Sequence, residues 1–71
     1  MVKYIVLHRP VGFRPADPPT TYKCEAFSAM SAELRCIENN KGTDVLWVHK
    51  VREGATEEEE RQEAFDDFFA H

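Results

Sequence analysis

Apolar positions recur along this chain with two periods, and the switches between them mark out five elements. From Val2 to His8 the pattern is that of a strand, with Ile5 and Leu7 on one side and Tyr4 and Val6 on the other. Apolar residues on both sides mark a central strand, or one covered twice. Arg9 to Thr20 holds all four prolines, at 10, 15, 18 and 19, together with Gly12, and reads as a long irregular connection. It carries a basic and aromatic set, Arg9, Phe13 and Arg14, and its Phe13 is expected to tuck onto the sheet.

Thr21 to Phe27 alternates as a second strand, with Tyr22, Cys24 and Ala26 opposite Lys23 and Glu25. Ser28 or Ser31 then caps a helix running to about Asn40, in which Met30, Leu34 and Ile37 form one stripe at spacings of four and three. Gly42 sits where a C-terminal cap belongs. A competing reading makes Tyr22 to Glu38 a single long helix, because Phe27 extends the same stripe. Thr20, Thr21 and Tyr22 favour the strand. Thr43 to Arg52 is a third strand, with Val45 and Trp47 facing one way and Leu46 and Val48 the other.

After Gly54, Thr56 and Glu59 form a capping box that opens a helix over about 56–70. The run Glu57 to Glu60 occupies its first turn, where the helix dipole favours negative charge, and Glu57 precedes Arg61 by four residues, a favourable ion-pair spacing. At 100° per residue Ala64, Phe65, Phe68 and Phe69 share one arc, and Glu59, Glu60, Glu63, Asp66 and Asp67 fill the opposite one. This helix is expected to dock by its phenylalanines and to display its carboxylates.

The order strand, strand, helix, strand, helix gives a single α+β domain: a three-stranded sheet with two helices on one face. The middle strand–helix–strand unit is expected to be a right-handed crossover with parallel strands, and the first strand to lie between them, antiparallel to both. That arrangement leaves Tyr4, Val6 and one side of the third strand, Trp47 included in the candidate set, on a bare sheet face. Such a face meets a second copy, another protein or the proline-rich loop.

Charge changes this picture at the C-terminal end. Residues 53–71 carry eight acids against Arg61 alone, a net of −7, while residues 1–52 carry eight bases against five acids, a net of +3. The total of −4 therefore hides a split, which calls for a partner or a self-contact of matching charge. Length and composition add bounds. Seventy-one residues make one domain, with a core that removes only about 60% of the unfolded chain's surface from water. No apolar run approaches the roughly 20 residues that span a bilayer, and Met1 to Tyr4 does not open a signal peptide, so a cytoplasmic protein without membrane contact is expected.

Candidate chemistry is sparse. Cys24 and Cys36 are spaced for neither a zinc knuckle nor a redox dithiol and read as buried reduced thiols. His8 and His49 end two strands and are expected at the sheet rim, His71 at the exposed terminus; a metal site built from them and the cysteines has no support in their spacing. The three glycines are isolated, so no phosphate loop is present. The expectation is a protein that is not an enzyme and needs no cofactor. Its basic residues are scattered, and the acidic helix repels phosphates, which argues against direct nucleic-acid binding through Arg9, Phe13, Arg14 and the sheet aromatics.

The stretch Glu25 to Val51, with its strand, its Ser28-capped helix and its Gly42 turn into a Trp47-bearing strand, resembles the centre of small phage-encoded proteins that disable host machinery. These include anti-CRISPR proteins and inhibitors of bacterial RNA polymerase. The resemblance spans about thirty residues, Tyr22 to Val51, and lies in size, layout and acidity. It implies an inhibitor acting in the host cytoplasm, and no site residue carries over with it. The expected function is thus protein binding, with Glu59, Glu60, Glu63, Asp66 and Asp67 meeting the basic surface of a nucleic-acid-handling complex. The alternatives are a self-associating accessory subunit joined through Tyr4, Val6 and Trp47, and a weak nucleic-acid binder.

Overall fold

A computed structural model describes residues 1–12 and 18–70. It contains β1 (Val2–Pro10), β2 (Thr20–Ala26), α1 (Ala29–Asn39), β3 (Thr43–Lys50) and α2 (Glu57–Phe69), an α+β fold with the expected element order. The sheet order is β2-β1-β3, with β1 antiparallel to both neighbours, so β2 and β3 run parallel. The separate strand and helix at Thr20–Asn39 replace the single long helix that the sequence also allowed. Arg9 and Pro10 belong to β1 rather than to the connection that follows it, and Phe13, Arg14 and Pro15 lie outside the described residues.

The helices are placed differently from the expectation. Tyr4 and Val6 of β1 pack with Ala32 and Cys36 of α1, whereas Ile5 and Leu7, their alternating neighbours, pack with Ala64 of α2. Side chains of successive strand residues point to opposite faces, so α1 and α2 cover opposite faces of the sheet. The two-sided apolarity of β1 is satisfied within the molecule: Ile5, Val6 and Leu7 are all at most 1% exposed. No bare sheet face remains around Tyr4, Val6 and Trp47, because α1 covers the first two and α2 covers the third.

A register shift in β3 explains a second departure. Leu7 pairs with Trp47 but His8 pairs with Val45, which leaves Leu46 as an extra residue. A bulge of this kind resets the alternation. Val45 therefore joins Val48 on the α1 side, while Trp47 stays on the α2 side with Phe65 and Phe68.

Local chemistry sets the element ends. The Ser28 hydroxyl accepts from the Ser31 amide at 3.2 Å and caps α1. Gly42, at φ +78, makes the turn into β3 that a side chain would strain, and its carbonyl accepts from the Val11 amide at 2.8 Å. The capping box of α2 is present in both directions: Glu59 N donates to Thr56 Oγ1 at 3.2 Å, and Thr56 N donates to Glu59 Oε1 at 3.0 Å.

Candidate functional site

The acidic face of α2 is turned inward more than its sequence suggests. Glu60 is only 3% exposed. Lys3 Nζ donates to its Oε2 at 3.1 Å, and Lys23 Nζ lies 3.5 Å from its Oε1. Lys23 also donates to Glu57 Oε1 at 3.1 Å. The register pairs Lys3 with Glu25 and Ile5 with Lys23, so both lysines stand on the same sheet face as Ile5, under α2. Arg52, just past β3, donates to Glu63 from Nε and Nη2 at 2.9 to 3.3 Å and to Glu59 Oε2 at 3.2 Å. Trp47 Nε1 donates to Asp67 Oδ2 at 2.9 Å, and His49 Nδ1 lies 2.9 Å from the same oxygen. Gln62 Nε2 donates to Asp66 Oδ1 at 3.0 Å.

All five acidic residues singled out from the sequence therefore have partners in their own chain. Four of them reach the sheet or the segment after it, and Asp66 is held within the helix. Titration follows this geometry. The Lys3 ammonium, against the desolvation of burial, holds the Glu60 carboxyl below its ordinary value, with Lys23 adding to it. Hydrogen bonds from Thr56 lower Glu59, and the bond to Glu57 raises Lys23. The Glu63 carboxylate raises Arg52. Three bases of the body, Lys3, Lys23 and Arg52, thus fasten α2 to the sheet, while Glu58 and Asp66 stay exposed.

The remaining candidates separate from one another. Tyr4 and Val6 form core with α1, and Trp47 packs tilted on Phe68 at a centroid distance of 6.5 Å. Arg9 is half-buried in β1, opposite Asp44, and Phe13 and Arg14 are outside the described residues. His8 and His49 are not neighbours. His8 sits buried on the α1 side with Nδ1 2.7 Å from Thr43 Oγ1, where desolvation lowers its pKa, whereas His49 faces Asp67 under α2. Cys36 is buried and Cys24 half-buried, both unbridged, and burial pushes both thiols up, away from the nucleophilic thiolate. Among the described residues no group of three or more His, Cys, Asp and Glu is placed to hold a metal ion, and no helix is long and apolar enough to cross a membrane.

The stripe of α1 exists, but it faces solvent: Met30 is 74% exposed, Leu34 52% and Ile37 40%. Phe27, three residues before Met30, is 83% exposed. The helix instead seats Ala32 and Cys36, both fully buried, on Tyr4 and Val6. Large side chains already fill the sheet face, so small ones on the helix permit the close approach that dense packing requires. The signal for this was the pair Ala32 and Cys36, four residues apart and lying on a different side of the helix from Leu34.

Comparison with known proteins gives no match: no family model fits the chain, and no curated protein or solved structure is significantly similar to it.

Proposed function

We propose that this chain is a non-enzymatic protein-binding module whose contact surface is the outer face of α1. The observation that carries this reading is the stripe of Met30, Leu34 and Ile37, three large apolar side chains left in water on one side of α1, with Phe27 exposed just before the Ser28 cap. Single exposed apolar residues are ordinary, whereas a contiguous apolar patch rimmed by polar groups marks an interaction site. Glu33, Arg35, Glu38 and Lys41 supply that rim. The non-enzymatic part is supported by the state of the reactive groups: the thiols are raised by burial, and the inward carboxylates are bound in ion pairs and a helix cap. A reducing, cytoplasmic setting suits the two unpaired cysteines.

The test is site-specific photocrosslinking in a cell lysate from position 30 and, in parallel, from position 58 on the exposed side of α2. The reading expects protein adducts from position 30 that disappear with Leu34→Glu. Adducts from position 58 alone would refute it and favour a second reading. In that second reading the protein is a phage-type inhibitor, anti-CRISPR-like in action, that meets the basic surface of a nucleic-acid-handling complex. Its support is the net charge of −7 over residues 53–71 and the exposure of Glu58 and Asp66.

A further inference from the structure

We infer that Cys24 and Cys36 are a reversible redox pair, one accessible thiol and one enclosed thiol that close into a disulfide stapling α1 to β2. The inference does not depend on what the outer face of α1 binds. Eleven residues separate the two cysteines in sequence, and the fold brings them together. Cys24 lies directly opposite Tyr4 in the β1–β2 register, so its side chain enters the α1 side of the sheet beside that of Tyr4. Cys36 comes down from the helix onto the same layer, and both thiols join one apolar cluster with Tyr4, Val6, Ala26 and Ala32.

The two residues are also level with each other. A short bend at Phe27 and Ser28 returns the chain, so α1 runs back along β2. Ala26 and Ala32, both fully buried, stand at the bend end of the cluster. From Ala26 to Cys24 is two strand residues, about 6.6 Å, and from Ala32 to Cys36 is four helical residues, about 6 Å. The far end is pinned, since Asn39 Nδ2 donates to Tyr22 Oη at 3.1 Å. A disulfide needs Cα atoms about 4.4–6.8 Å apart with converging Cβ vectors. The small side chains of Ala26, Ala32 and Cys36 permit the close approach, and entry into one cluster supplies the convergence. The thiols also act on each other, because charge on Cys24 raises Cys36.

Exposure assigns the roles. Cys24 is half-buried, whereas Cys36 has no exposed surface. Exchange with a low-molecular-weight disulfide therefore begins at Cys24. Its thiolate, having given its proton to water, attacks one sulfur of that disulfide, forming a mixed disulfide and expelling one thiolate. Cys36 loses its proton in turn, attacks the Cys24 sulfur and expels the second thiolate. The two expelled thiolates take up the two protons, so two protein thiols become one disulfide as the small disulfide becomes two thiols. In a reducing compartment the pair stays open, and a rise in disulfide closes it.

The test equilibrates the full chain with glutathione and glutathione disulfide in defined ratios, traps it by acid and alkylation, and weighs it intact. The expected product is monomeric, lighter than the dithiol by about 2 Da, linked Cys24 to Cys36 on peptide mapping, and reversed by excess glutathione. Its thermal midpoint is expected on the order of 10 °C above that of the reduced chain. A bond that favours the fold is favoured by it equally, so the exchange constant in urea is expected to be at least tenfold smaller. Cys36→Ala is expected to stop at the glutathione adduct on Cys24, and Cys24→Ala to stay reduced; if either fails to fold, the comparison of the wild-type chain in water and in urea decides alone. A wild-type chain that keeps both thiols, stops at the adduct, or forms only disulfides between chains overturns the inference. So does an exchange constant as large in urea as in water, or a midpoint that falls on oxidation.

Discussion

Turning α1 with its small residues inward predicts an inverted order of stability effects for substitutions four or fewer residues apart. Ala32 is fully buried against Tyr4 and Val6, so Ala32→Leu forces three extra carbon atoms into a filled contact. Overpacking of this kind costs about 1–3 kcal/mol. For a domain of this size each kcal/mol lowers the midpoint by about 4–8 °C, so a drop on the order of 10 °C is expected. Leu34 is 52% exposed. A fully buried Leu→Ala change costs about 2–5 kcal/mol, but here only half the side chain leaves an apolar environment and no enclosed cavity forms, so about 1 kcal/mol or less remains. Urea unfolding followed by the fluorescence of Trp47, the only tryptophan, measures both. The protein is held near roughly 1 µM so that self-association adds nothing to apparent stability. The m-value is expected to stay constant. If Leu34→Ala costs more than Ala32→Leu under these conditions, α1 faces the sheet with its large stripe and the contact surface argued above does not exist.

Four further outcomes follow from the same geometry. Glu60 and Glu59 have folded pKa values below the ordinary 4.5, so their stabilisation is present above about 4.5 and is lost as pH falls through the folded values. Glu60→Gln should lower stability at pH 7 and flatten the acid limb of a stability profile, and an unchanged limb would count against the Lys3–Glu60 pair. His8 is a base whose pKa is lowered by burial, so folding favours its neutral form; stability should begin to fall as pH drops below 6.5, and His8→Gln should remove that upper step of the profile. Asp67→Ala strands the Trp47 and His49 donors and should cost about 1–3 kcal/mol, with a shift in Trp47 emission; no change in either would show that Asp67 does not hold α2. In timed alkylation Cys24 should react before Cys36, since only Cys36 is fully enclosed, and the reverse order would place α1 elsewhere.

The sequence carried the elements well because each has a strong local cause. The two-sided apolar run of β1, the cap at Ser28, the capping box at Thr56, and Gly42 in its turn all act within a few residues of themselves. Strand order was also legible, since a strand–helix–strand unit constrains where the first strand can lie. What escaped was the choice of face. The stripe of Met30, Leu34 and Ile37 carries the largest apolar area on α1, and area alone predicts burial. The buried side is decided by the partner surface: Tyr4 and Val6 project far enough that Ala32 and Cys36 make the closer fit. The bulge at Leu46 was invisible for a related reason, because it appears only when β3 is laid against β1.

The same distinction governs how the charge of this protein should be understood. A net of −7 over the last nineteen residues looks like a surface prepared for a basic partner. Once α2 lies across the sheet, Lys3, Lys23 and Arg52 stand beneath or beside it and Glu57, Glu59, Glu60 and Glu63 turn toward them. The pairs at the rim are largely solvated, and each contributes little. Glu60 differs because it is enclosed: replacing Lys3 removes its 3.1 Å hydrogen bond and leaves a buried carboxylate with the Lys23 ammonium at 3.5 Å. The pairs lie on both sides of the apolar contact that Ala64, Phe65 and Phe68 make with the sheet, while Phe69 stays exposed. Three cations of the body thus meet α2, and the remaining excess of acid, Glu58 and Asp66 among it, faces solvent, as does the large apolar stripe of α1.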